Sequence, residues 1–159
     1  GVAPDVIERA MASFPGLAHR MQRVASVGGI SFVNDSKATN ADAAEKALSS
    51  FDTIYWIAGG LAKAGGIEPL KPLFGNVVRT YLIGQATEDF AATLAGSMPF
   101  EKSGTLDKAV VSALRDARAD GRKDAVVLLS PACASQDMFT DYAHRGACFA
   151  EAVSNVPPT

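Results

Sequence analysis

Cysteine and histidine are scarce in this chain of 159 residues, which holds only Cys133, Cys148, His19 and His144. The cysteines form no C-x-x-C pair, and two histidines cannot complete a zinc set, so no metal site can be written in this chain. Cys133 has no evident histidine partner and reads as a small buried thiol rather than a nucleophile. The thiol usage fits a cytoplasmic protein. Three catalytic or nucleotide signatures are missing as well. There is no G-x-x-x-x-G-K-[ST] phosphate loop, no G-x-G-x-x-G at the first strand–helix turn and no G-x-S-x-G elbow. GGLAKAGG, residues 59–66, has glycines and a lysine but the wrong spacing for a phosphate cradle. The apolar runs IYWIA and AVVLL are far too short to span a bilayer. Net charge is −2 with no Lys/Arg cluster, which argues against nucleic acid as a partner. The opening residues carry no signal-peptide pattern. Because the chain starts on Gly1 rather than Met, it is expected to be a piece of a longer protein.

What is present is an ordinary globular composition, nearly half apolar and one fifth charged. That suits one domain with a substantial core. Pro4 opens an expected helix through Phe14, followed by a break at Pro15 and Gly16. Residues Gln22 to Asn34 read as a β-hairpin turning at Gly28 and Gly29. Strands are then expected at Thr53–Ala58, Val77–Ile83 and Ala125–Leu129. Helices are expected at Asn40–Leu48, Glu88–Leu94, Leu106–Ala119 and Ser135–Val153. The third of these has Thr105 as its cap and Gly121 at its end. This alternation predicts an α/β fold, Rossmann-like and doubly wound, with a mostly parallel sheet behind an N-terminal hairpin and no dinucleotide fingerprint. Pro157 and Pro158 mark an expected tail.

Three loops follow strands: Asn34–Thr39 (within NDSKATN), Gly59–Lys63 (GGLAK) and Ser130–Ser135 (SPACAS). In a parallel sheet they share the carboxyl edge, where open α/β sheets bind ligands. Lys37, Lys63, Thr39, Ser135 and two helix N-termini gather there. That set is donor-rich and suits carboxylates or phosphates. Taken singly, the same Ser, Thr and Asn residues also serve as ordinary helix caps.

NDSKATN, SPACAS followed by Asp137, PGLAHR (Pro15–Arg20), GGLAK and the helix carrying Tyr142, Arg145, Gly146 and Phe149 resemble the C-terminal domain of the Mur ligases. The match is closest to the members that add D-glutamate, and it covers nearly the whole chain. The resemblance implies an ATP-dependent amide ligase of peptidoglycan precursor synthesis, in the bacterial cytoplasm and off the membrane. The carboxylate of UDP-N-acetylmuramoyl-L-alanine would be activated by ATP as an acyl phosphate, and the amine of D-glutamate would attack it.

The same resemblance implies that Thr39, Lys63 and Ser135 hold the glutamate carboxylates. Gln136 contributes through its main chain, and Tyr142 stands where the family has an aromatic, commonly Phe. Arg20 is implied to reach the ATP phosphates and Asp35 the ribose, while Lys37 lies between the two substrates on the phosphate side. The phosphate loop and the Mg2+ ligands would belong to the rest of the ligase chain, the partner this domain needs. On this reading residues 1–16 end the preceding domain, 17–155 form the amino-acid-binding domain and 156–159 are a tail. A folylpolyglutamate-synthase-like domain, or a non-catalytic module binding an acidic metabolite, are the alternatives.

Overall fold

The computed structural model describes residues 18–157. The expected helix Pro4–Phe14 and the break at Pro15 and Gly16 lie outside the described residues. The hairpin is there: β1 (Gln22–Val27) and β2 (Ile30–Asn34) run antiparallel, with a bulge near Val24. Then come α1 (Ala41–Ser49), β3 (Ile54–Gly59), β4 (Leu61–Ala62), a 3-10 segment (Glu68–Asn76) and β5 (Val77–Ile83). The chain ends with α2 (Thr87–Leu94), β6 (Phe100–Gly104), α3 (Leu106–Asp120), β7 (Val126–Leu129), β8 (Cys133–Ala134) and α4 (Tyr142–Ser154).

Six strands form one sheet in the order β1-β2-β7-β3-β5-β6, parallel except for β1. The two central strands are buried along their whole length, as expected where helices cover both faces. Alternation sorts their side chains. Ile54, Trp56, Val126 and Leu128 pack with α1, the 3-10 segment and α2 on one face. Tyr55, Ile57, Val127 and Leu129 pack with α3 and α4 on the other. The sheet is therefore doubly wound.

Several elements differ from the expected ones. The last helix starts at Tyr142, not Ser135. Asp141 is its cap, accepting from the His144 N–H at 2.8 Å, while His144 Nδ1 accepts from Thr140 N–H at 3.1 Å. Ser135 instead opens a separate turn, its carbonyl accepting from the N–H groups of Met138 and Phe139. Strand β6, FEKSG, lies at the sheet edge and carries no apolar alternation that would announce it in the sequence. The 3-10 segment holds Pro69 and Pro72, whose missing N–H groups prevent a continuous α-helix. Val156, assigned to the tail, is buried against the core. A turn from Val153 carries it back, and Arg118 donates to the Pro157 carbonyl at 2.8 Å.

Candidate functional site

The three loops meet at the carboxyl edge and are bonded to one another through main chain. Ala132 N–H donates to the Ala38 carbonyl at 3.0 Å, and Gly59 N–H to the Pro131 carbonyl at 3.0 Å. Strands β4 and β8 add a short antiparallel ladder, Leu61 opposite Ala134 and Ala62 opposite Cys133. This approach needs residues without Cβ. At Gly59 an added Cβ would run into the Ile83 carbonyl oxygen, and at Gly60 it would lie 2.5 Å from the Ala134 carbonyl oxygen. Backbone strain gathers on the same edge. His19, Met21 and Ala132 all hold left-handed φ values without being glycine, at a cost of about 1–3 kcal/mol each.

A buried cation bolts the edge together. Arg145, on the inner face of α4, is 1% exposed. Its guanidinium donates to Ser36 Oγ at 2.8 Å, the Ser36 carbonyl at 2.5 Å and the Cys133 carbonyl at 2.9 Å. It thus links NDSKATN, SPACAS and α4, and among the described residues no carboxylate forms an ion pair with it. Burial lowers its pKa to about 10. The Cys133 thiol beneath it is pushed up to about 12 by burial, so Cys133 stays protonated and the nucleophile reading has no support.

A second network fixes the entry to the edge. Asn34 Oδ1 accepts from Ser36 N–H at 3.1 Å, which leaves the amide NH2 facing the Gly146 carbonyl and His19 Nδ1, the latter at 2.9 Å. His19 Nδ1 is therefore an acceptor, and the ring is neutral with its proton on Nε2. Burial lowers its pKa, and Asp141 offsets this in part. The His19 carbonyl takes the N–H of Lys37 at 2.9 Å. The His19 ring stands edge-on to Tyr142, 6.1 Å between centroids.

The expected site residues fall into two groups. Arg20, Asp35 and Lys37 line one cleft of about 400 Å³ with Asn40. Lys63 lines a neighbouring cleft of about 240 Å³, also bordered by Asn40. The N-terminus of α1, capped by Asn40, lies between them, with the Ala43 N–H bonded to Asn40 Oδ1 at 2.8 Å. Asp35 is 4% exposed. Both of its oxygens already accept, from Met21 N–H at 3.1 Å and from Ser130 Oγ at 2.7 Å. Burial raises its pKa, with the bond from Ser130 opposing. Lys37 reaches across to Tyr142, 3.1 Å from its hydroxyl and 4.2 Å from its ring centroid.

Thr39 is half-buried and Gln136 exposed. Ser135 is 1% exposed, and its hydroxyl has no hydrogen-bond partner. Among the described residues no cluster of three His, Cys, Asp or Glu is placed to hold a metal ion. No described helix is long and apolar enough to cross a membrane. Ser36, Asn34 and Arg145 carry the scaffold, and their roles were missed from sequence. The signal was an arginine on the apolar face of a helix, three residues after Tyr142 and four before Phe149.

Residues 19–133 match the family model described as Mur ligase, glutamate ligase domain. The chain is 56% identical over 157 residues to the UDP-N-acetylmuramoylalanine--D-glutamate ligase of Nitrobacter hamburgensis, covering 99% of this chain and 34% of that protein. It is 57% identical over 154 residues to the ligase of the same name from Agrobacterium fabrum, covering 97% of this chain and 33% of that protein. With the Rhodospirillum rubrum ligase it shares 53% over 159 residues, 100% of this chain and 33% of that protein. The chain spans about a third of the length of the curated relatives it matches.

Proposed function

The chain belongs to the Mur ligase family, through its glutamate ligase domain, and we propose that it supplies the amino-acid site of an ATP-dependent ligase that adds D-glutamate to UDP-N-acetylmuramoyl-L-alanine. The observation that carries the reading is the donor-rich edge. Lys37 and Lys63 open onto adjacent clefts on either side of a helix N-terminus, and the buried Ser135 hydroxyl has no protein partner. A ligand with two carboxylates beside a phosphate would complete that set.

In this reading Thr39, Lys63 and Ser135 bind the D-glutamate carboxylates, with Gln136 and Tyr142 against them. Arg20, Asp35 and Lys37 face ATP. Because both Asp35 oxygens already accept internal bonds, the nucleotide hydroxyl would share lone pairs rather than take a free carboxylate. Transfer of the ATP γ-phosphoryl group to the sugar-peptide carboxylate gives an acyl phosphate and ADP. The glutamate amine attacks the acyl carbon, loses a proton and expels phosphate, leaving the amide. The edge residues hold the amino acid for that attack, which is positional catalysis. Residues 17–155 constitute the amino-acid-binding domain on this reading, and residues 1–16 the end of the segment before it.

The test is an assay of the full-length ligase containing this chain. With the nucleotide sugar, ATP and D-glutamate it should form one amide and one phosphate per ADP. Phosphate release that ignores D-glutamate would sink the reading. The 159-residue chain alone should neither hydrolyse ATP nor form the amide.

A further inference from the structure

The loop from β7 to α4 carries Ser135 and Gln136, and its first half is firmly held. Ala132 is bonded to Ala38, Cys133 and Ala134 pair with β4, and the Cys133 carbonyl takes a bond from Arg145. Beyond Ser135 the next tie to another element is Asp137. Its Oδ2 accepts from the N–H of Gln85 at 3.0 Å, 52 residues away along the chain. Gln85 lies just past the end of β5. The slot that receives the carboxylate is shaped by two glycines. An added Cβ on Gly84, whose φ is 71°, would strike Asp137 Oδ2 and lie 3.1 Å from Gly60 Cα. The other oxygen, Oδ1, is buried with no hydrogen-bond partner. A carboxylate oxygen kept from water without a donor is unfavourable, and such a group in a native fold calls for an explanation.

We propose that Asp137 is a positioning residue that latches the loop bearing Ser135 and Gln136 onto the end of β5, and so sets the amino-acid site. The proposal rests on the functional reading given above. Ser135 and Gln136 are strung between two fixings, the Arg145 bond at Cys133 and the Asp137 bond at Gln85. With the far fixing released, the turn that runs from Ser135 to Phe139 keeps its own bonds and the packing of Met138 and Phe139 against the core, but loses its bond to the end of β5. The Ser135 hydroxyl then loses the one orientation that suits a ligand carboxylate. The unsatisfied Oδ1 is explained as a cost of forcing the side chain into the glycine slot.

Three variants of the full-length ligase test this, each with a melting curve and separate KM values. Asp137→Ala is expected to raise the KM for D-glutamate by roughly tenfold or more, since small misplacements of binding groups carry large losses. The KM for ATP and for the nucleotide sugar should move by no more than about twofold. Asp137→Asn keeps an acceptor for Gln85 N–H and should stay within about threefold of wild type. Gly84→Ala pushes the latch out from the other side and should reproduce the Asp137→Ala split. If Asp137→Ala does not fold, the other two variants decide.

An unchanged D-glutamate KM in folded Asp137→Ala, or a rise shared equally by ATP, would overturn the latch. So would an Asp137→Asn enzyme as impaired as Asp137→Ala, because charge rather than the bond would then be responsible. A wild-type enzyme that ignores D-glutamate would bring down the functional reading and the latch together. An active wild type with an unaffected Asp137→Ala would bring down the latch alone.

Discussion

Polar groups on the α3 flank and polar groups on the loop edge are satisfied in opposite ways. On the flank, opposite charges and hydroxyls find one another. Tyr55 donates to Asp120 at 2.5 Å, Tyr81 to Asp116 at 2.7 Å, and Arg115 bridges Asp116 and Glu101. Burial pushes Asp116 up, but the bonds from Tyr81 and Arg115 outweigh it and hold its carboxyl below the usual range. On the loop edge the cations make no close ion pair among the described residues, although Asp35 lies in the field of Arg20 and Arg145 in that of Asp137. Among the described residues Arg145 bonds to carbonyls and a hydroxyl, Lys37 meets a phenol, and Lys63 makes no ion pair. Apart from the buried Arg79 Nε, which has no partner, the neutralised network of the flank has no buried donor left over. An edge with donors to spare suits the anionic ligand proposed for it.

That contrast separates stability from binding, and the largest effect tests where it breaks. Arg145 belongs to the edge yet acts as scaffold, so Arg145→Leu should behave like a core lesion. Two carbonyls and the Ser36 hydroxyl lose their donor, at a cost of roughly 1–3 kcal/mol for each acceptor left buried without a partner. A melting curve should fall by roughly 10 °C or more, and an unchanged Tm would remove Arg145 from the scaffold. Next come two of the residues proposed to hold D-glutamate. Lys63→Ala and Ser135→Ala in the full-length enzyme should each raise the D-glutamate KM, Lys63→Ala by roughly 10–100-fold, with the ATP KM little affected. Neither should lower Tm. Ser135→Ala is the sharper case, because a buried hydroxyl without a partner contributes no bond to lose. A Tm drop with an unchanged KM would return Ser135 to a purely structural role.

On the flank the expectation reverses. Tyr81→Phe should lose about 0.5–1.5 kcal/mol of stability and leave both KM values alone, as denaturant titration and steady-state kinetics would read. The smallest effect is one of pH. The His19 pKa lies below its ordinary value of 6.5 because the ring is buried. Above that value folded and unfolded chains are both neutral. As pH falls through it the unfolded chain takes the proton first, so stability declines until the folded pKa is passed. Asp35, raised by burial, has the opposite sign and acts in the carboxylate range, losing its contribution as pH rises through its folded pKa. Melting wild type and His19→Gln between about pH 8 and pH 5 isolates the ring. The difference between them should change as pH falls, and parallel curves would show that His19 is not held neutral.

Much of this was legible in sequence where local chemistry and tertiary packing agree. The Gly28–Gly29 hairpin, the buried apolar strands and the cap at Thr105 follow from short-range rules, and Val77–Ile83 is found as expected. The convergence of three loops on one edge followed from parallel topology alone. What escaped depends on partners far along the chain. Strand β6 is polar and exists because β5 offers it an edge. The β4–β8 ladder has two residues per strand and no periodicity to detect. SPACAS followed by a helical pattern hid the five residues between Ser135 and the real cap, because Asp141 is as ordinary a cap as Ser135. Arg145 was visible as part of a motif, but its bonds lie 109 residues away at Ser36 and 12 away at Cys133.

The position of β7 bears on how the molecule comes to exist. It comes late among the described strands, yet it sits between β2 and β3 in the finished sheet. Asn34 stands opposite Leu129, and Asp35 bonds to Ser130 across 95 residues of chain. Until that segment arrives, β2 and β3 each carry an open edge, which is a template for wrong pairing. Contacts this distant in sequence also slow folding. A nascent chain ending before Val126 would have both lysines, the α1 N-terminus and most of both cores. It would have no closed sheet and no site, and it would be the form most in need of a chaperone.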